Sequence, residues 1–163
     1  MKKILPLLLG LIFLSCGQSP EKKEFNEYNL RVITRFMNTS VKVSELQQNM
    51  ENNNLTPNEM INEFTKIRDE LNMLDEYLKQ TENPRSQDLQ YLHAALKSFI
   101  ASLLASNIYK IKVMKLYGNH NDSKEVYDEI IKKTTQLNKK IEDDYYKVQG
   151  LLNKYNIKFD YVF

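Results

Sequence analysis

One cysteine, two histidines, three evenly spaced serines and one acidic cluster are the residues here with the most chemistry to offer. Cys16 is the sole cysteine of 163 residues. It has no disulfide partner, and a single thiol provides neither an iron–sulfur cluster nor a Cys-x-x-Cys-His haem attachment. Di-iron bundles use Glu-x-x-His pairs, but neither His93 nor His120 has a Glu three residues before it. Ser98, Ser102 and Ser106 recur at the four-residue spacing of one helix face. A serine nucleophile needs a base and an orienting group, and the Gly-x-Ser-x-Gly elbow is missing. These serines therefore read as small residues that let helices approach or bond back to a carbonyl. No glycine-rich phosphate loop is present either. The acidic run Glu142-Asp143-Asp144 reads as a solvated face.

Three polar residues stand out by position. His93 sits beside an apolar stripe and reads as a boundary histidine held by a hydrogen bond. Asn107 and Asp144 fall on or near apolar seams, where a polar residue can set helix register at some cost in stability. The alternative for this group is a small-molecule or metal site between the third and fourth helices, near His93 and Asp144. Metal and cofactor are otherwise expected to be absent, and catalysis is not expected.

These residues need elements to hold them. Four glycines and four prolines are too few for an all-β domain. The first 15 residues hold two of the 23 basic side chains and none of the 21 acidic ones, so the remaining chain is balanced, with 21 of each. A balanced domain argues against nucleic-acid binding and against a polybasic membrane-surface patch.

Punctuation and period predict four helices. The first runs from about Glu21 to Glu51, with Phe25, Tyr28, Val32, Phe36, Val43, Leu46 and Met50 inward. The second opens at Thr56-Pro57-Asn58-Glu59, a capping box with proline in the first turn. Its seam of Met60, Phe64, Ile67, Leu71, Leu74 and Leu78 alternates steps of four and three, as in a coiled coil. The third, about Pro84 to Tyr117, is the most apolar. Leu89, Leu92, Leu96, Phe99 and Leu103 form one stripe, and Ile100, Leu104, Ile108 and Ile111 a second beside it. A stripe so wide needs more than one partner helix. Gly118 suits the stop. The fourth starts at Asp122, buries Val126, Ile130, Leu137, Ile141, Val148, Leu151 and Tyr155, and ends near Asn156. Short connections make sequential neighbours antiparallel. The expected fold is all-α, an antiparallel up-down four-helix bundle.

The last residues change period. Ile157, Phe159, Tyr161 and Phe163 alternate with other side chains, which argues an extended tail over 157–163. Docking on its own bundle, across one end, fits better than pairing with a partner sheet, since a free aromatic row invites aggregation. Tyr77, Tyr91, Tyr109, Tyr127, Tyr145 and Tyr146 lie on or beside seams, suiting core edges or a partner surface.

The N-terminus carries a different pattern. Lys2 and Lys3 precede an apolar stretch from Ile4 to Leu14, too short for a membrane span of about 20 residues. Leu14-Ser15-Cys16-Gly17 follows. This resembles the lipobox of bacterial lipoprotein signal peptides, in a variant with the leucine one place nearer the cysteine. The resemblance implies a diacylglycerol on the Cys16 sulfur, cleavage before Cys16, and acylation of the new amine with a chain such as palmitate. It also implies a cell-envelope location: the outer membrane in a Gram-negative cell, where Gly17 in place of Asp favours it, or the outer face of the cell membrane in a Gram-positive one.

The expected organisation is a signal peptide over 1–15, a lipidated tether over 16–24, a helical bundle over 25–156 and the tail over 157–163. The expected role is a membrane-anchored, non-enzymatic protein-interaction module with a protein partner and no nucleic acid.

Overall fold

The protein is an all-helical bundle, seen here in a computed structural model that describes residues 19–117, 124–159 and 161. Five α-helices and one π-helical turn make four rods. The first rod joins α1 (Pro20–Tyr28), a π-helical turn (Asn29–Ile33) and α2 (Thr34–Asn52). The others are α3 (Pro57–Gln80), α4 (Gln87–Tyr117) and α5 (Lys124–Asn153). No strand occurs among the described residues.

Local chemistry explains most of the boundaries. Ser19 caps α1, its Oγ accepting the Lys22 N–H at 3.3 Å, with Pro20 in the first turn. Helix thus begins at Pro20, one residue before the expected start at about Glu21. At the head of α3, Glu59 N–H donates to Thr56 Oγ1 while Thr56 N–H donates to Glu59 Oε2, closing the expected capping box. The third rod starts at Gln87, not Pro84. Pro84 is buried in the turn, and the Glu24 carboxylate of α1 accepts the backbone N–H groups of Arg85 and Ser86. The helix stop expected at Gly118 and the start at Asp122 lie outside the described residues.

The fourth rod ends three residues before the expected Asn156. Asn156 N–H donates to the Asn153 carbonyl and Ile157 N–H to the Leu152 carbonyl, at 3.0 and 3.2 Å. Asn156 itself has φ 58°, the left-handed conformation that usually falls to glycine at this place. Asparagine tolerates it because its short polar side chain adds little steric conflict. The turn redirects the chain back along α5.

The π-helical turn interrupts the first rod where the sequence shows only a regular period. Thr34 N–H reaches the Asn29 carbonyl five residues back, and Thr34 Oγ1 donates to the same oxygen at 3.0 Å. Tyr77 of α3 donates its hydroxyl proton to the Arg31 carbonyl. The widened turn brings Tyr28, Val32, Ile33 and Phe36 onto one buried face.

Close backbone packing joins α2 to α3, α3 to α4, and α4 to α5. The third rod is therefore central, which accounts for its wide apolar surface. Its second stripe needs correction: Ile108 is 55% exposed, and the covered line passes through Asn107 instead. In the fourth rod Leu152 is fully covered, where Leu151 had been expected. The first rod meets the third through long side chains, with Phe36 and Phe99 at 6.1 Å between ring centres.

Phe159 and Tyr161, among the described C-terminal residues, pack against the side of the bundle rather than across its end. Phe159 is 2% exposed, with its ring 5.0 Å from Phe36, 6.0 Å from Phe99 and 5.6 Å from Tyr145. Its carbonyl accepts the Tyr145 hydroxyl at 3.3 Å and the Gln149 amide at 3.1 Å. Tyr161 packs on Phe99 and donates to Gln47 Oε1 of α2. This segment lines the side of the bundle and fills the space between the first and fourth rods.

Candidate functional site

Three polar places lie within the apolar core. The first joins α4 to α5. Ser98 donates to Asp144 Oδ1 at 3.0 Å, and Ser102 Oγ lies 2.5 Å from Asp144 Oδ2. Lys140, one turn before Asp144, donates to Ser102 Oγ and to Asp144 Oδ2 at 2.6 and 3.1 Å. Burial pushes the Asp144 carboxyl up, but the hydrogen bonds from Ser102, Lys140 and Ser98 outweigh it and hold it below the usual range. Asp144 thus leaves the acidic run Glu142-Asp143-Asp144 and turns inward, while its two neighbours stay exposed.

A serine beside a lysine invites comparison with a nucleophile and its base. Here the geometry is helical throughout. Both serines sit mid-helix, where backbone N–H groups are already used by the i to i−4 ladder. None is left to stabilise an oxyanion. What the cluster does supply is a fixed meeting point between two rods. Asp144→Ala removes the acceptor shared by Ser98, Ser102 and Lys140, leaving Ser102 only its bond to the Ser98 carbonyl, and is expected to cost about 1–2 kcal/mol in urea unfolding. A loss under about 0.5 kcal/mol would show that the carboxylate contributes nothing at this seam.

The second place is His93, 2% exposed. Its Nδ1 lies 3.0 Å from the Tyr28 hydroxyl of α1. Its Nε2 has no hydrogen-bond partner among the described residues, although the Leu78 backbone is near enough to favour a charged ring. Burial, helped by Lys97, outweighs that and holds the imidazole below its ordinary pKa. Burial likewise pushes the Tyr28 phenol well up. His93 is a core residue rather than a boundary one, and the histidine and phenol form a neutral pair.

No group of three or more His, Cys, Asp or Glu capable of holding a metal occurs among the described residues. His93 and Asp144 make separate contacts, and neither lines the cavity beside α3, α4 and α5.

That cavity, about 700 Å³, is the third place. It opens where α3 and α5 do not pack closely, with α4 beneath. Phe64, Ile67, Leu71, Leu103 and Ile141 give it apolar walls. Asn107, 5% exposed, lines it, and its Oδ1 has no hydrogen-bond partner among the described residues. Lys110 also lines it, with Nζ 5.7 Å above the Phe64 ring and no carboxylate within 4.0 Å among the described residues. Burial holds the Lys110 amine below its ordinary pKa, against a smaller opposite pull from Glu51.

No protein family matches this chain, and neither does any curated protein or solved structure. Function must therefore be argued from the residues themselves. Of the four residues singled out from the sequence, Asn107 lies at the cavity, His93 and Asp144 lie elsewhere in the core, and Cys16 is outside the described residues. Lys110 was not among them. The available signal was the stripe Leu89, Leu92, Leu96, Phe99, Leu103, which continues at helical spacing into Ser106, Asn107 and Lys110.

Proposed function

We propose that this chain is a bacterial lipoprotein, held to a membrane through acyl chains on Cys16 and displaying its helical bundle as a non-enzymatic binding module at the cell envelope. The observation that carries this reading is Leu14-Ser15-Cys16-Gly17 behind a short apolar run that begins after two lysines. Ser19 caps a helix only three residues beyond Cys16, so the bundle would stand close to the bilayer. No helix among the described residues is long and apolar enough to cross a membrane. One acyl chain anchors only marginally, at about 0.8 kcal/mol per buried CH₂, and two or more hold firmly.

In this reading the rods are antiparallel neighbours in an up-down bundle, with residues 157–163 as an extended strap. Pairs such as Arg31 with Tyr77 and Lys42 with Glu70 support opposite directions for the first two rods. Asp144 with Ser98 and Lys154 with Asp88 support the same for the last two. A protein partner would find aromatic contacts at Tyr91 and Tyr146, both more than half exposed on the third and fourth rods.

Cys16→Ala tests the anchor. The variant is expected to move from the membrane pellet to the soluble fraction, or to remain as an uncut precursor lacking the lipid mass, with the bundle's circular dichroism unchanged. A mature protein that begins elsewhere and carries an unmodified thiol would overturn the reading.

A further inference from the structure

We propose that the cavity between α3 and α5 binds a small amphipathic carboxylate, one with an apolar body and an N–H or O–H donor beside its acid group. Three features of the site point to this chemistry together. The cavity has an apolar wall of Phe64, Ile67, Leu71, Leu103 and Ile141, with Lys139 and Glu142 of α5 also in its lining, and it is large enough for a small-molecule ligand, since such pockets run from about 300 to 1,000 Å³. The Asn107 Oδ1 is a buried acceptor left without a donor, an arrangement that costs stability unless something else uses it. The Lys110 ammonium is partly desolvated and lacks an ion-pair partner within 4.0 Å among the described residues, so an anion that reaches it gains more than it would in open water.

Asn107 and Lys110 are three residues apart on one helix, so they present their polar atoms to one region of the cavity. A carboxylate at Lys110 places its neighbouring donor within range of Asn107. The chain of the ligand then lies along Leu103, Leu71 and Ile67. A cationic or purely apolar molecule would leave one or both polar groups unanswered. Gln47, at the cavity rim, lies 27 residues along the first rod from Pro20, or about 40 Å at 1.5 Å per residue. With the first rod upright on a bilayer, the occupant is therefore a free molecule rather than a bilayer lipid. The inference stands whether or not Cys16 is acylated.

The test is photolabelling of the full chain in phosphatidylcholine vesicles with N-decanoylglycine carrying a diazirine in its acyl chain, mapped by mass spectrometry. Label is expected on the segments around Ile67 to Leu71 and Leu103. Excess N-decanoylglycine should compete it away, decanoate less well, and decyltrimethylammonium not at all. Lys110→Met is expected to lower labelling about tenfold. Asn107→Leu separates binding from folding: it should raise the melting temperature by removing an unpaired buried acceptor, yet lower labelling. Ser106→Phe, which fills the cavity, should abolish the label. Label that is spread along the chain, that survives Ser106→Phe, or that the ammonium competes as well as the acid would overturn the proposal.

Discussion

Phe159→Ala is expected to lower the unfolding free energy by about 3–5 kcal/mol, the largest loss of any single substitution outside the four rods. The ring is almost fully covered and touches Phe36, Phe99, Tyr145 and Tyr161, so its removal opens a cavity at the junction of the first, third and fourth rods. Those rods cannot easily close the gap. The first and fourth are not among the closely packed pairs, and Phe159 occupies the space between them. Phe159→Leu keeps most of the volume and should cost under about 2 kcal/mol. Urea unfolding followed by circular dichroism measures both. If the alanine variant lost less than about 1 kcal/mol, the C-terminal segment would not be part of the folded core in solution.

The four rods could be read from sequence because their signals are local. A proline, a capping box and a run of steps of three and four each act within one or two turns, and α3 shows all of them. The C-terminal segment was legible only as a change of period. Alternation at Ile157, Phe159 and Tyr161 predicts a departure from helix, but the surface that receives it is assembled from Phe36, Phe99 and Tyr145, far apart in the chain. The π-helical turn was hidden for a similar reason. Asn29 to Ile33 has ordinary helical composition, and the Arg31 carbonyl within the turn takes its hydrogen bond from Tyr77 on another rod.

The polar core residues divide along the same line. Asp144 and Asn107 were conspicuous because each interrupts an apolar face. What they interrupt it for depends on the partner rod. Asp144 meets two serines at helical spacing on α4 and is satisfied, whereas Asn107 meets the gap between α3 and α5 and is not. A polar residue on the same kind of seam thus serves cohesion in one place and leaves an open acceptor in the other. Only the arrangement of the rods decides between them.

His93 should make the protein less stable in mild acid. Its ring is neutral when folded, because burial and the nearby Lys97 hold its pKa below the ordinary value of 6.5. Above about pH 6.5 the ring is neutral in both the folded and the unfolded chain, so it adds no pH dependence. Below that, the unfolded ring takes up a proton and the folded one does not. Stability then falls by up to about 1.4 kcal/mol per pH unit until the pH reaches the lowered folded value, where the slope ends. Asp144, whose carboxyl is held below its usual range, loses its contribution only at still lower pH, and so does not interfere between pH 5 and 7. His93→Leu should flatten the profile across that window. Tyr28→Phe should cost about 1–2 kcal/mol at pH 7 by removing the partner of Nδ1, yet leave the slope in place. The two variants therefore separate the hydrogen bond from the titration. A slope that survives His93→Leu would assign the titration to another group.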